Sequence, residues 1–137
     1  ASKGIAHCDL AARNILVGDD ISKIKISDFG ISKILKDGRC YEPNNNLPVD
    51  WSAPEARRGY ISSAADVWSY GVVLWEVYSD GVDPYDDIPN RRETLLELLT
   101  SQNLRLCCPT KCPEIFTGLR ADAQVLEYRS RRATFIR

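Results

Sequence analysis

The sequence lacks methionine, has one histidine and contains no apolar run that approaches membrane-spanning length. A single histidine, His7, leaves little room for a hydrolase site of the Ser-His-Asp type. The 18 basic and 19 acidic side chains nearly cancel, so charge gives no argument for nucleic-acid binding. No signal peptide is visible, and without an initiator methionine we expect a piece of a longer protein.

Cysteine occurs five times, and an odd count without a secretory signal favours reduced thiols. We therefore expect a cytoplasmic protein, or the cytoplasmic side of a membrane receptor. Cys108 and Cys112 have a zinc-like spacing, but no second close cysteine pair exists and a structural zinc site needs four ligands. The 44% hydrophobic and 27% charged composition suits one compact unit.

Three polar motifs follow one another in the first half of the chain. They are residues 7–14 (HCDLAARN), 28–30 (DFG) and 53–55 (APE). A single short motif arises easily by coincidence, whereas three in this order and at these separations do not. The set resembles the catalytic loop, the metal-binding loop and the end of the activation segment of protein kinases. The LAARN form resembles the tyrosine kinase branch.

The resemblance implies roles for several side chains in phosphoryl transfer, which depends mostly on positioning and charge neutralisation. Asp9 would accept or steer the proton of the attacking hydroxyl group, and Arg13 would orient the substrate. Asn14 and Asp28 would hold Mg²⁺, which prefers oxygen ligands. Leu16 would form the floor of the adenine pocket for ATP.

The local pattern brings the two expected metal ligands together. Residues 15–17 and 24–26 are short apolar runs separated by turn-forming residues, which predicts a β-hairpin. Asn14 lies just before the first strand and Asp28 just after the second, so both should lie at one end of the hairpin. The alternative is that both are ordinary turn residues.

Residues 31–52 are polar, rich in turn formers and without periodicity, so we predict a mobile loop. By resemblance it is the activation loop, with Tyr41 as the phosphorylation candidate; an ordinary solvent-exposed tyrosine is the alternative. Residues 47–51 (LPVDW) resemble the peptide-docking segment of tyrosine kinases, which usually has Lys or Arg where this chain has Asp50. Cys8 also departs from the family, which usually has an arginine there that pairs with activation-loop phosphate.

Two helices are predicted in the second half. Over residues 64–79 apolar positions surround the helix, which predicts burial on all sides. By resemblance it is the central helix of the kinase large lobe, and Asp66 would bond the catalytic-loop backbone; a simple helix N-terminal acid is the alternative. Residues 90–101 predict an amphipathic helix with Leu95, Leu96, Leu98 and Leu99 on one face.

We expect a further helix to begin at Cys112, and it too resembles the kinase family. The resemblance weakens after residue 120 and returns near Arg132, which would form a buried ion pair with Glu55; a surface arginine is the alternative. The resemblance also gives His7 and Phe29 structural roles within their motifs.

Together these features predict an α+β fold, mostly α, in which residues 1–137 are a partial kinase domain: the large (C-terminal) lobe with a small β-hairpin. The small lobe, with its glycine-rich loop and strand lysine, is absent and expected upstream. The subgroup resemblance is to cytoplasmic kinases of the Fes/Fer kind. The expected function is transfer of the ATP γ-phosphate to protein tyrosines, with the 137 residues inactive alone. The alternative is a pseudokinase-like binding module or a truncated product without catalysis.

Overall fold

The computed structural model describes residues 4–20, 22–43 and 46–113. In these ranges six short strands pair into three antiparallel two-stranded sheets, joined by three α-helices and a 3₁₀ turn over Ala12–Asn14. The strands are β1 (Ile5–Ala6), β2 (Ile15–Val17), β3 (Ile24–Ile26), β4 (Lys33–Ile34), β5 (Arg39–Tyr41) and β6 (Tyr60–Ser62); the helices are α1 (Pro54–Arg57), α2 (Ser63–Tyr78) and α3 (Arg91–Ser101). This is the α+β mixture that the sequence predicts.

Strands β2 and β3 form the expected hairpin. Leu16 pairs with Lys25 at its centre, and its closing turn has a hydrogen bond of 2.9 Å from Gly18 N to Lys23 O. At the open end Ser27 N donates to Asn14 O at 2.9 Å. The hairpin therefore brings the end of the 7–14 loop beside the start of the 28–30 motif.

The segment 31–52 is not the continuous loop that we predicted. It contains β4, which pairs with β1, and β5, which pairs with β6. A tight turn precedes β5, with Asp37 and Gly38 at φ values of 51° and 79°. Positive φ at both central residues is what a type I′ turn requires, and Asp-Gly is among its preferred sequences.

Helix α2 lies within one residue of its predicted limits, Ser63–Tyr78 against 64–79. Ser62 caps its first turn, since its Oγ accepts a hydrogen bond of 3.3 Å from Ala64 N. The prediction of burial on all sides is wrong, because Val67, Tyr70 and Val77 are 47%, 49% and 60% exposed. Apolar side chains are common at surface positions, so their presence all round a helix does not require burial all round.

The core lies between α2, α3 and the strand β6. Trp68 and Val72 from α2 are 2% and 0% exposed and belong to one cluster with Ile61 and Leu95. On α3 only Leu95 and Leu99 are fully buried, whereas Leu96 and Leu98 are half-buried. The predicted helix is therefore confirmed, but only two of the four leucines expected on its apolar face are fully buried, at i and i+4 positions.

Other expectations lie beyond the described residues. The helix predicted from Cys112 and the pairing residue Arg132 fall largely or wholly after residue 113. Within the described part of the chain, no helix has both the length and the apolar character needed to cross a membrane.

Candidate functional site

The loop of residues 7–14 is fastened to the start of α2. The Asp66 carboxylate accepts hydrogen bonds from His7 N at 2.7 Å and from Cys8 N at 3.0 Å. Asp66 also lies in the first turn of α2, where the helix dipole favours a negative charge. The two roles considered for Asp66 therefore coexist, and the helix fixes the loop backbone just before Asp9.

His7 connects this loop to the segment that follows β3. The backbone N–H of Asp9 lies 3.2 Å from His7 Nδ1 and can only donate, so Nδ1 accepts. The ring proton is then on Nε2, which donates to Ser27 O at 3.0 Å. The imidazole ring of His7 also contacts the Phe29 ring, which meets it edge-on at a centroid distance of 4.6 Å.

Both oxygens of the Asp9 carboxylate have partners within the loop. Arg13 forms an ion pair with Oδ1, and the Asn14 side-chain nitrogen donates to Oδ2 at 3.0 Å and to Asp9 O at 2.7 Å. The Asp9 and Arg13 side chains are 17% and 45% exposed. An ion pair this exposed contributes little to stability, so its main effect is to orient the carboxylate.

Asn14 and Asp28 present oxygen atoms at the open end of the hairpin. Both acceptors facing the Asn14 amide require its nitrogen, so the amide oxygen is directed to its other side. Asp28 is exposed, has a left-handed backbone with φ of 62°, and accepts a hydrogen bond of 3.2 Å from Gly30 N. Ser27, which directly precedes Asp28, donates hydrogen bonds from its N and Oγ to Asn14 O at 2.9 and 3.0 Å and so holds the two residues together.

The remaining predicted residues lie on other elements. Leu16 is on β2 and is 55% exposed. Tyr41 is on β5, 60% exposed, with its ring 4.8 Å from that of Tyr60 on the neighbouring strand. Glu55 is buried in α1, while its expected partner Arg132 lies outside the described residues.

Sequence reasoning missed two residues of this site, Glu76 and Trp51. Glu76 is 8% exposed on α2, and its Oε2 accepts hydrogen bonds of 2.9 Å from Ala12 N and from Trp51 Nε1. The Arg13 guanidinium lies 4.5 Å above the centre of the Trp51 ring. The available signal was that Glu76 is the one carboxylate in residues 67–78, the apolar part of α2 that follows Asp66.

Residues 1–135 match the family model of protein tyrosine and serine/threonine kinases. The chain belongs to this kinase family. Members of the family in general use ATP and Mg²⁺.

Tyrosine kinases are among the relatives of this kinase chain. Mouse (Mus musculus) tyrosine-protein kinase Srms is 45% identical over 112 residues, which are 80% of this chain and 22% of Srms. Mouse tyrosine-protein kinase Fer is 44% identical over 122 residues, 85% of this chain and 14% of Fer. Fibroblast growth factor receptor homolog 1 of Drosophila melanogaster is 41% identical over 115 residues, 82% of this chain and 15% of that protein. The chain thus spans less than a quarter of each of these relatives.

Cys8 gives this kinase chain a neutral, buried group in the 7–14 loop. The side chain is 8% exposed and its Sγ lies 3.6 Å from Ala6 O. Burial, and after it the negative charge of Asp66, raises the pKa of the Cys8 thiol to about 11. Cys8 therefore supplies no positive charge that could pair with a phosphate.

Asp50 lies in a cleft of about 800 Å³ lined by residues 46–50 and 90–93. It forms an ion pair with Arg91 at 3.3 Å, and the Asp50 side chain is 16% exposed. Burial raises the pKa of the Asp50 carboxyl, and the positive charges of Arg91 and Arg57 oppose that rise. Asp50, which stands where the family usually has Lys or Arg, thus has the basic partner Arg91 on α3.

Proposed function

We propose that the chain is the large, C-terminal lobe of a protein tyrosine kinase and carries the groups that transfer the ATP γ-phosphate to a tyrosine hydroxyl. The observation that carries this proposal is the fixed orientation of Asp9. Arg13 and Asn14 hold its two carboxylate oxygens, and the loop that contains all three is anchored to α2. Preorganised groups of this kind are what a reaction governed by positioning requires.

Asp9 is the proposed group that receives or steers the proton of the substrate hydroxyl. Each carboxylate oxygen has two acceptor sites, so the bonds to Arg13 and Asn14 leave one site on each oxygen for a further donor. The side chain is 17% exposed and hence reachable from solvent. Arg13 orients this carboxylate and, by resemblance, the substrate.

Asn14 and Asp28 fit a magnesium site by the chemistry of their oxygens. The Asn14 nitrogen is committed to Asp9, which leaves the amide oxygen for a cation. Asp28 is exposed and has one oxygen engaged by Gly30 N. Hard cations prefer such carboxylate and amide oxygens. Bound there, Mg²⁺ would neutralise charge on the phosphates of ATP.

The β2–β3 hairpin is the proposed nucleotide-facing surface. Leu16, Val17, Ile24 and Ile26 are 55%, 59%, 61% and 50% exposed. Val17, Ile24 and Ile26 share one face of the hairpin, whereas Leu16 lies on the other face beside Lys25. We assign Leu16 to the adenine of ATP. The rest would be covered by a small lobe with a glycine-rich loop and a lysine, neither of which occurs as a motif in this sequence.

Protein substrates that contain tyrosine are the proposed partners. The cleft lined by residues 46–50 and 90–93 has a volume of about 800 Å³, within the range of ligand sites, and is our proposed docking place for the peptide. Dependence on ATP and an odd number of cysteines are consistent with action in the cytoplasm or on the cytoplasmic side of a membrane.

The proposal is tested by separating turnover from nucleotide binding in the full-length protein. We expect Asp9→Asn to lower turnover ~10²- to 10⁴-fold with little change in ATP affinity, because Asp9 serves the hydroxyl. Asp28→Ala should instead weaken Mg²⁺-dependent ATP binding. Asp19→Asn, in the exposed hairpin turn, is the matched control. Near-normal turnover of Asp9→Asn would contradict the proposal and favour a binding module without catalysis.

A further inference from the structure

Three polar side chains of α2 contact the segments that surround Asp9. Asp66 holds the backbone of residues 7 and 8, Ser69 Oγ donates to Trp51 O at 2.8 Å, and Glu76 binds both Ala12 N and Trp51 Nε1. At 3.6 residues per turn these positions fall within roughly 80° around the helix axis. One face of α2 therefore positions both the 7–14 loop and the 47–51 segment.

Glu76 is the junction between those two segments. A carboxylate that is 8% exposed is costly to bury unless hydrogen bonds compensate it. Two N–H groups at 2.9 Å do so, one from the loop backbone and one from the indole. Charge-assisted bonds of this kind are stronger than neutral ones, so Glu76 fixes the Trp51 ring relative to Ala12.

The Trp51 ring in turn supports Arg13. The Arg13 guanidinium lies 4.5 Å above the ring centre and forms the ion pair with Asp9 Oδ1. At 45% exposure an arginine side chain has many accessible rotamers, and its pairing with Asp9 alone would restrict them weakly. Stacking on an aromatic face adds a second restraint. Glu76 fixes the residue before Arg13, and Trp51 fixes its far end.

We propose that Glu76 and Trp51 are positioning residues that hold the Asp9 carboxylate through Arg13. This inference rests on the proposed function, because it gives Asp9 its role in turnover. It goes beyond the proposed function by assigning a role to two residues that belong to none of the three motifs. Replacing Trp51 should lower kcat and leave the KM for ATP unchanged. The hydrogen bonds of Glu76 and Trp51 go to the Asp9 side of the site and not to the proposed Mg²⁺-binding oxygens.

The experiment compares Trp51→Leu with Trp75→Leu in the full-length protein. Trp75 is the matched control, because its indole also donates one hydrogen bond but to Cys107 O, at 2.8 Å, and not to Glu76. We expect Trp51→Leu to lower kcat roughly 10- to 100-fold, and Trp75→Leu to leave kcat near normal. Trp51→Phe, which keeps a ring beneath Arg13, should recover part of the loss. Equal kcat for the two leucine variants would overturn the proposal.

A double-mutant cycle with Arg13→Ala shows whether Trp51 acts through Arg13. If it does, the Trp51→Leu and Arg13→Ala effects on kcat are strongly non-additive, whereas purely structural effects at the two positions would add. Additivity would overturn the proposal even if both single variants are impaired.

An NMR measurement gives a readout independent of activity. The Arg13 side-chain protons should carry an upfield ring-current shift that is lost in Trp51→Leu and kept in Trp75→Leu. If the wild-type protein transfers no phosphate but this shift behaves as expected, the proposed function fails while the Trp51–Arg13 contact stands. If the shift is unchanged in Trp51→Leu, the further inference fails whatever the activity.

Discussion

At the scale of single residues, Cys8 is a small buried side chain in the otherwise polar part of the 7–14 loop. It lies between His7 and Asp9, has a left-handed backbone with φ of 69°, and is held through its N–H by Asp66. The same carboxylate that fixes the backbone also disfavours a thiolate, and burial disfavours it more. The residue is therefore a small buried group and not a nucleophile.

This chemistry predicts slow alkylation of Cys8 in the folded protein. With a thiol pKa of about 11, the reactive thiolate is scarce at pH 8 and increases as the pH rises toward that value. Exposed Cys107 and Cys108 serve as internal controls in the same sample. Mass spectrometry after timed iodoacetamide treatment should find Cys8 modified last. Modification of Cys8 at pH 8 as fast as Cys107, without unfolding, would contradict the assigned burial and charge.

Residue identity predicted the polar motifs but not Glu76 or Trp51. Asp9, Asn14 and Asp28 are close in sequence, and a short hairpin is enough to bring them together. Glu76 is 64 residues from its partner Ala12 and 25 from Trp51. A glutamate in a helix usually points to solvent, so only the tertiary contact explains its burial. Local pattern carries no information on such a contact.

At the scale of elements, α2 was predicted from the sequence whereas β5 was not, and this difference has a physical reason. Helix bonds are local, so the run of residues 64–79 was enough to predict α2, and the structure adds the Ser62 cap. Strand β5 has three residues and exists through its pairing with residues 60–62. The Asp37-Gly38 turn was a local signal for a chain reversal, but the distant partner strand was not readable from it.

The link between the 47–51 segment and α3 depends on the Asp50–Arg91 ion pair. Replacing Asp50 by the usual lysine of the family would bring a positive charge next to Arg91 and Arg57. We expect Asp50→Lys to destabilise the protein by about 1–3 kcal/mol, since both partners are largely buried. The double variant Asp50→Lys/Arg91→Glu should recover part of this loss. Denaturant unfolding of the wild type, Asp50→Lys and the double variant measures the change in the free energy of unfolding.

Two results would contradict this account of Asp50. One is an Asp50→Lys protein as stable as the wild type. The other is a double variant that is no more stable than Asp50→Lys, which would mean that shape and not charge governs the contact. Arg92→Glu, a charge reversal at an exposed position on the same helix, is the control for the overall change in charge.

At the scale of the whole molecule, the β2–β3 hairpin leaves apolar side chains exposed on both of its faces. Four of its side chains are at least half exposed: Leu16, Val17, Ile24 and Ile26. Burying a side chain of this size contributes about 1.5–3 kcal/mol, which is a large share of the ~5–15 kcal/mol that stabilises a typical domain. The hairpin would thus gain stability from a partner that covers these side chains.

We therefore expect the 137-residue chain, expressed alone, to bind a hydrophobic dye and to unfold over a broad temperature range. It should bind ATP too weakly to measure, because the proposed glycine-rich loop and lysine are not among its residues. Leu16→Ser/Ile26→Ser should reduce dye binding, while Val67→Ser on the exposed face of α2 should reduce it less. A sharp cooperative melt with micromolar ATP binding would contradict this expectation.

The family of the molecule was predictable from sequence because its three motifs are short, polar and ordered along the chain. Their geometry was predictable only where local structure sets it, as in the hairpin that joins Asn14 to Ser27. The anchoring of the Asp9 loop to two ends of α2, at Asp66 and Glu76, required the fold. The central claim, that this arrangement serves transfer of phosphate to tyrosine, depends on Asp9.

The most direct measurement of that claim is phosphate transfer by the full-length protein to a tyrosine-containing peptide, with the product analysed for the phosphorylated amino acid. The account predicts Mg²⁺-dependent phosphotyrosine for the wild type and the Asp19→Asn control, and a loss of ~10²-fold or more in Asp9→Asn. Phosphate found on serine or threonine only, or equal phosphotyrosine from Asp9→Asn and wild type, would contradict it.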